Sequence, residues 1–447
     1  MGKDKSTLKE VLSTSLPAVI DLSSQTITWL IEAIFIGHLS AAALAGVGIS
    51  LQIVLLTLTV VLTFVMGSSV IILRYLGAND SWTANHVMGQ ALMMGTIMSV
   101  LIGLVWYFGG SQLMHLIKEE EPVARQFGAD WLKTASYFAP IFIINFIALG
   151  IMRMAGDTML TMKINVVTNL IHLVLLPLLV FGNLGFPRLE ARGAAFAVGI
   201  AHSIGFGMTI YYLRSRKSVL YLSFREYTRI NFTTFRRLFK LGVPTTVEQL
   251  VWASGQLILS FFAARLGIIP LAVHQVFIRI QSVLTMAFQG FGLASMTLVG
   301  KNLGADEEVQ ALHTGRIAGR VALTAAVLAA ALLLLLHRPV LSSFTENPQV
   351  VLYGSSVILA LALVQIPKAL NIVFSGNLRG GADLAWLMWL TIGSVLIFEV
   401  FGAYILTFIF QLGLVGLWAV QGLDESVRFA LNYFRFKGKK WKILDLT

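Results

Sequence analysis

Residues 74–80 read RYLGAND, and residues 301–307 read KNLGADE. The same kind of heptad, basic at its start and acidic at its end around a Leu-Gly-Ala centre, thus returns 227 positions later. Neighbouring features return with it. Pro17 lies 57 residues before Arg74 and Pro244 lies 57 before Lys301, and each proline is followed four residues on by a carboxylate, Asp21 or Glu248. His38-Leu39 and Leu44-Ala45 match Arg265-Leu266 and Leu271-Ala272 at the same offset. GIMRMAGDT (150–158) matches GNLRGGADL (376–384) at an offset of 226, and LEARGAAFA (189–197) resembles LGLVGLWA (412–419). Anchors in one order at one spacing indicate an internal duplication.

The chain is 57% hydrophobic and only 12% charged, with mean hydropathy +0.80. Soluble domains carry about 25% charged residues, so this composition belongs to a polytopic membrane protein. The first apolar run, from Val11 to Gly37, is too long for a cleaved signal and is expected to remain as a span. Cysteine is absent, which excludes disulfides, thiolate metal sites and thiol catalysis. A crossing helix needs about 20 apolar residues. Twelve stretches qualify: 13–37, 42–73, 85–108, 129–151, 160–182 and 193–213, then 241–264, 270–300, 315–336, 351–375, 385–410 and 412–433. The expected fold is all-α, with twelve transmembrane helices as two parallel-repeat lobes of six around a central cavity. The expected domains are an N-lobe over 1–213, a basic linker over 214–240 and a C-lobe over 241–447.

The formal charge of +11 reflects topology rather than nucleic-acid binding. The linker carries Arg214, Arg216, Lys217, Arg225, Arg229, Arg236, Arg237 and Lys240 against Glu226 alone. The tail carries Arg435, Lys437, Lys439, Lys440 and Lys442, and the N-terminus Lys3, Lys5 and Lys9. These segments share one side in a twelve-span arrangement, and the acidic run Glu119-Glu120-Glu121 lies opposite. The basic side is expected to be cytoplasmic, with both termini on it and the chain in the plasma (inner) membrane. Leu-Gly-Ala then ends the second helix of each half, with Gly as the helix stop and Asn79, Asp80 or Asp306 starting the next segment.

Ionisable side chains inside a membrane are costly and mark function. Asp21, Gln25, Thr28 and Glu32 fall at i, i+4, i+7 and i+11 on one stripe of the first span. Glu32 sits five residues from Gly37, roughly 8 Å of rise inside the apolar zone. Asn165, Asn169 and His172 form a second stripe on the fifth span, continued by Leu176, and Glu32, His172, Asn169, Asp21 and Gln25 are the expected cation-coupling residues. In the second half, Glu248 lies on span seven, Arg279 with Gln275 and Gln281 on span eight, and Gln365, Lys368 and Asn371 on span ten. A Glu248–Lys368 ion pair is expected, because it neutralises both charges. Arg153 and Arg379 read as anchors at helix ends. No P-loop, HExxH or GxSxG context is present.

The stretches EAIFIGHLSAAALAGVG (32–48), RYLGAND, MRMAGDTMLTMKINVVTNLIHLVLLPLL (152–179), LGVPTTVEQL (241–250), TLVGKNLGADE (297–307) and NLRGGADLAWLM (377–388) together resemble the multidrug and toxic compound extrusion (MATE) family. The resemblance implies two six-helix lobes around a V-shaped cavity, alternating access, and export driven by proton or sodium entry. It implies an N-lobe cation site in which Glu32 stands where the family usually has Asp. It departs from the family's pattern at His172, where Asn is common, and at Leu176, where Asp is common. Sodium needs several oxygen ligands, whereas a buried carboxyl and an imidazole exchange protons, so the departures favour protons as the coupling ion over sodium. Lys368 stands where some members carry an acid of a C-lobe cation site, and its charge argues against sodium there. The expected function is export of small amphipathic or cationic compounds by a monomer in the bilayer, with no enzyme activity, cofactor, metal site or nucleic-acid partner. Flipping of lipid-linked sugar or peptidoglycan precursors is the alternative, kept open by Lys368 and Arg279. A membrane enzyme is the third reading, and no catalytic constellation supports it.

Overall fold

A computed structural model describes residues 2–116, 122–223, 227, 231–438 and 441. Glu119, Glu120, Glu121, Arg225, Glu226, Arg229, Lys439, Lys440 and Lys442, used above for orientation, lie outside the described residues. The chain is built from helices, and no strand occurs among the described residues. The first half forms α1 (Gly2–Leu39), α2 (Ala41–Gly77), α3 (Ser81–Leu113), α4 (Pro122–Met154), α5 (Thr158–Phe181) and α6 (Glu190–Arg214). The second half forms α7 (Phe232–Arg265), α8 (Ile268–Gly304), α9 (Glu308–Leu335), α10 (Pro348–Gly380), α11 (Leu384–Ile409) and α12 (Gly413–Lys437). A short helix, His337–Ser342, joins α9 to α10. In lipid every backbone amide needs a partner within the chain, which is why such apolar runs become helices.

Eleven of the helices are long and apolar enough to cross a membrane among the described residues. The exception is α12. Its 25 residues would cover about 37 Å, but Asp424, Glu425 and Arg428 interrupt its apolar character. All three are buried within the protein rather than turned to lipid, so α12 is a helix with an internal polar face.

Contacts divide the chain into two compact units: Ile20–Leu76 with Asp80–Gly242, and Met1–Val19 with Gly77–Asn79 and Val243–Thr447. The start of α1 therefore packs with second-half helices. Val11 is fully buried in a cluster with Phe288, Phe291, Ala318 and Val373, and Thr7 accepts a hydrogen bond from Gln310.

The duplicated heptads end their helices at Gly77 and Gly304, as expected, but by a different local geometry. Gly77 and Gly304 do not stop their helices by left-handed geometry. That conformation falls two residues later, at Asn79 and Asp306, each with φ +59°. Asp80 then caps α3, accepting from the Thr83 amide at 3.0 Å and from its hydroxyl. Those bonds hold the Asp80 carboxyl below its ordinary pKa. Gly77 instead permits close approach, since a Cβ there would strike the Lys301 carbonyl of the other copy of the motif.

The duplication also carries interactions. Arg153 Nε donates to Asp21 Oδ2 at 2.8 Å, joining α4 to α1, and Arg379 Nη2 donates to Glu248 Oε1 at 2.7 Å, joining α10 to α7. Pro17 and Pro244 lie inside α1 and α7, and Pro140 and Pro367 inside α4 and α10, again 227 apart. Asp157 accepts from Ser218 and from the Val219 amide, while its counterpart Asp383 accepts from Arg435 Nε at 2.8 Å. Each half thus ties its fourth-to-fifth helix turn to the end of its sixth helix or the segment just after it.

Two predictions concern this framework. A Cβ on Gly376 would strike the Gly292 carbonyl where α10 crosses α8, whereas a Cβ on Gly393 meets open space. Gly376→Ala should lower stability by about 1–3 kcal/mol, seen as a fall in melting temperature in detergent, and Gly393→Ala should not. Breaking a buried ion pair from one side costs about 3–5 kcal/mol. Asp21→Asn and Arg153→Met should therefore couple in a double-mutant cycle by about 0.5–3 kcal/mol, as should Glu248→Gln and Arg379→Met. Strictly additive melts would remove these pairs from the account.

Candidate functional site

The first-half unit encloses a cavity of about 270 Å³. Its polar wall comes from α1 and α5, through Gln25, Thr28, Glu32, Asn169 and His172. Its apolar wall includes Trp29, Trp106, Trp131, Phe138 and Phe142. The stripe spacing explains the convergence. Residues three, four and seven apart share a helix face, so two polar stripes on neighbouring helices meet along one seam.

Glu32 is 1% exposed, and its Oε1 has no hydrogen-bond partner among the described residues. Its nearest ionisable neighbour is His172, whose Nε2 stands 3.9 Å from Glu32 Oε2 and makes no hydrogen bond. That distance is too long for a hydrogen bond. The ionised carboxylate would thus be buried with no donor on Oε1, and a proton removes the charge. Asn169 is anchored rather than free, donating to Ser24 Oγ at 3.1 Å. Thr28 returns its hydroxyl to the Ser24 carbonyl at 2.9 Å. Asp21, expected among the coupling residues, does not line the cavity. Arg153 takes one of its oxygens and Asn165 the other, at 2.7 Å.

In the second-half unit the expected Glu248–Lys368 pair is replaced by two others. Glu248 binds Arg379, and Lys368 Nζ donates to Glu425 Oε1 at 3.0 Å. The physical reason is supply. An acid of α12 lies within reach of Lys368, while Arg379 reaches Glu248 with a strong guanidinium bond. Asn371 Nδ2 donates to Glu425 Oε2 at 2.7 Å, so it joins Lys368 on one acid. Gln365 donates to a carbonyl of its own helix, Leu361, at 2.9 Å. Arg279 and Gln275 are exposed, while Gln281 is buried.

Sequence reasoning missed several buried polar residues. His202 of α6 lines the same cavity as Glu32 and lies edge-on to Phe142, with ring centroids 4.7 Å apart. Glu399, Asp424, Glu425 and Arg428 are buried in the second half. A usable signal existed: each is an ionisable residue inside an expected span.

Comparison with known proteins agrees with the duplication. The MatE family profile matches residues 17–178 and again 244–405, two segments 227 apart. The "Probable multidrug resistance protein NorM" of Thermotoga maritima is 25% identical over 441 residues, covering 97% of this chain and 93% of that protein. The multidrug resistance protein MdtK of Pectobacterium atrosepticum is 24% identical, covering 96% of this chain and 95% of that one. Among solved structures, a MOP superfamily transporter from Pyrococcus furiosus, described as having a binding pocket of reverse polarity, superposes with a TM-score of 0.88. It is 21% identical, with 96% of this chain and 95% of that one covered, and it shares the fold. With both halves matched in order, this multi-pass membrane protein belongs to the MatE family.

Proposed function

We propose that the chain is a secondary active antiporter that exports small amphipathic or cationic compounds in exchange for protons, by alternating access. The observation that carries this reading is Glu32, a buried carboxyl with an unpartnered Oε1 that lines a cavity also lined by tryptophan and phenylalanine. Tryptophan faces attract organic cations, worth about 2 kcal/mol or more when desolvated. A single carboxylate adds the opposite charge. A proton and a cationic compound would then compete for Glu32, and such competition is what antiport requires. The names of relatives, multidrug resistance proteins, point to the same substrate class.

Two features favour a proton over sodium at Glu32. The facing group on α5 is an imidazole nitrogen, a poor ligand for a hard cation. The next residue along that stripe, Leu176, is fully buried and offers no oxygen. Protonation would remove the charge from the polar seam and let α1 repack, with Pro17 as the point where a backbone hydrogen bond is missing. Only a difference in stability between the two conformations in the two protonation states drives such a change. The flippase alternative loses part of its support, because Lys368 is neutralised by Glu425. In this reading the protein works as a monomer in the inner-membrane bilayer, without catalysis, resident cofactor or nucleic acid.

Glu32→Gln should abolish dye efflux driven by a pH gradient in proteoliposomes, and Glu32→Asp should retain part of it. Wild-type efflux by Glu32→Gln would place the coupling group elsewhere, and efflux that follows a sodium gradient alone would replace the ion. Orientation is tested separately. Thr233 is exposed at the start of α7. In this cysteine-free chain, Thr233→Cys should resist impermeant maleimide on intact cells and react once the membrane is opened.

A further inference from the structure

Five charged side chains meet inside the second-half unit, and efflux at Glu32 uses none of them. Lys368 comes from α10, Glu399 from α11, and Asp424, Glu425 and Arg428 from α12, each buried. Lys368 and Asn371 take the two oxygens of Glu425. Ser394 and Arg428 take the two oxygens of Asp424, and Arg428 also stands 3.6 Å from Glu425. Both cations are thereby matched with acids.

Glu399 is left over. It is 1% exposed, and the charges that act on it are Asp424, Arg428, Glu425 and Lys368. Its Oε1 accepts from Gln256 Nε2 of α7 at 3.2 Å. Gln421 of α12 donates to Gln256 Oε1 at 3.3 Å and so turns the Gln256 amide donor towards the acid. Glu399 Oε2 has no hydrogen-bond partner among the described residues. Three carboxylates against two cations give this cluster a formal charge of −1 when all are ionised, and one proton brings it to zero.

The fold makes room for this carboxyl. Glu399 lies in a π-helical stretch of α11, Val395–Gly402. Such wide turns are rare and cluster at functional sites. Opposite it on α7 is Gly255, where a Cβ would collide with Glu399 Oε2. The neighbouring aromatic, Trp252, faces Lys368 rather than the acid, at 6.0 Å from its ring centroid. Among the described residues no three His, Asp or Glu side chains form a metal-ligand set.

We infer that Glu399 is a second proton-exchange site of the transporter, separate from Glu32 and built into the second half of the chain. A proton from water forms an O–H bond with the free carboxylate oxygen, and the cluster passes from −1 to neutral. The Lys368–Glu425 and Arg428–Asp424 pairs stay in place. This inference rests on the proton-coupled reading of the chain.

Infrared difference spectroscopy on the purified full-length protein tests it, by following the protonated-carboxyl C=O stretch during a pH titration. Above about pH 6 exposed carboxyls stay ionised, because their ordinary pKa values lie near 4. Wild type should show two such bands titrating, Glu32→Gln one, Glu399→Gln the other, and the double variant none. A Glu399→Gln spectrum identical to wild type overturns the inference. A Glu32→Gln spectrum identical to wild type counts against the first site alone. If Glu399→Gln does not elute as folded protein, Gly255→Ala serves instead. Its added methyl presses on the same carboxylate and should shift the second band, and an unshifted band again overturns the inference.

Discussion

A carboxylate on the first helix of each half, held by an arginine on the fourth, is the contact on which the other assignments depend. Asp21–Arg153 and Glu248–Arg379 occupy matching places in the duplication. A charge inside a membrane helix is tolerated when it is paired, and each pair meets that condition with a short guanidinium bond. Each pair also lies one helical turn after a proline, Pro17 or Pro244, where the helix lacks a hydrogen bond. The tie is therefore made where the helix is least able to hold itself. It also decides which acid is free. Arg153 and Asn165 occupy both oxygens of Asp21, whereas Oε1 of Glu32, eleven residues further on, has no partner among the described residues.

The repeat made much of the fold legible, because a fixed offset acts on many residues together. Twelve stretches anticipated the twelve long helices among the described residues, and the polar stripes of α1 and α5 anticipated the Glu32–His172 seam. Partner choice was not legible in the same way. Lys368 bonds an acid 57 positions away on α12, and nothing in local spacing announces that. The segment LDESVRF (423–429) looks like the polar end of a helix, yet its acids and arginine point into the protein. Glu399 was hidden by the opposite circumstance, a lone acid in the apolar run LIFEVFG (396–402). The helix stops were placed correctly, but the left-handed residue was not, for a third reason. Glycine is the usual left-handed residue, but here Asn79 and Asp306 take that conformation, while Gly77 serves close packing.

Duplication followed by divergence accounts for the unequal chemistry of the halves. At the offset of 227 Glu32 corresponds to Leu259, and at the offset of 226 that holds from GIMRMAGDT onward His172 corresponds to Phe398, one residue before Glu399. The first half keeps its acid on the first helix and faces it with an imidazole on the fifth. The second half has an apolar residue on the first helix and places the acid on the fifth. Gly255 then stands where Thr28 stands in the first half, and the missing side chain is what admits the Glu399 carboxyl.

The surroundings of the two acids set what each can bind. Glu32 opens on a cavity lined in part by tryptophan and phenylalanine, which in the proposed function admits an organic cation as well as a proton. Glu399 has one oxygen on Gln256 and the other against the α7 backbone at Gly255, a fit that leaves room for a proton. The cations near it are already matched by Asp424 and Glu425, so a negative charge on Glu399 is the one the cluster does not offset. In the proposed mechanism one acid meets both substrate and proton, and the other the proton alone. A duplicated scaffold achieves this by moving a single carboxyl from one helix to its neighbour, without changing the framework that the arginine pairs hold.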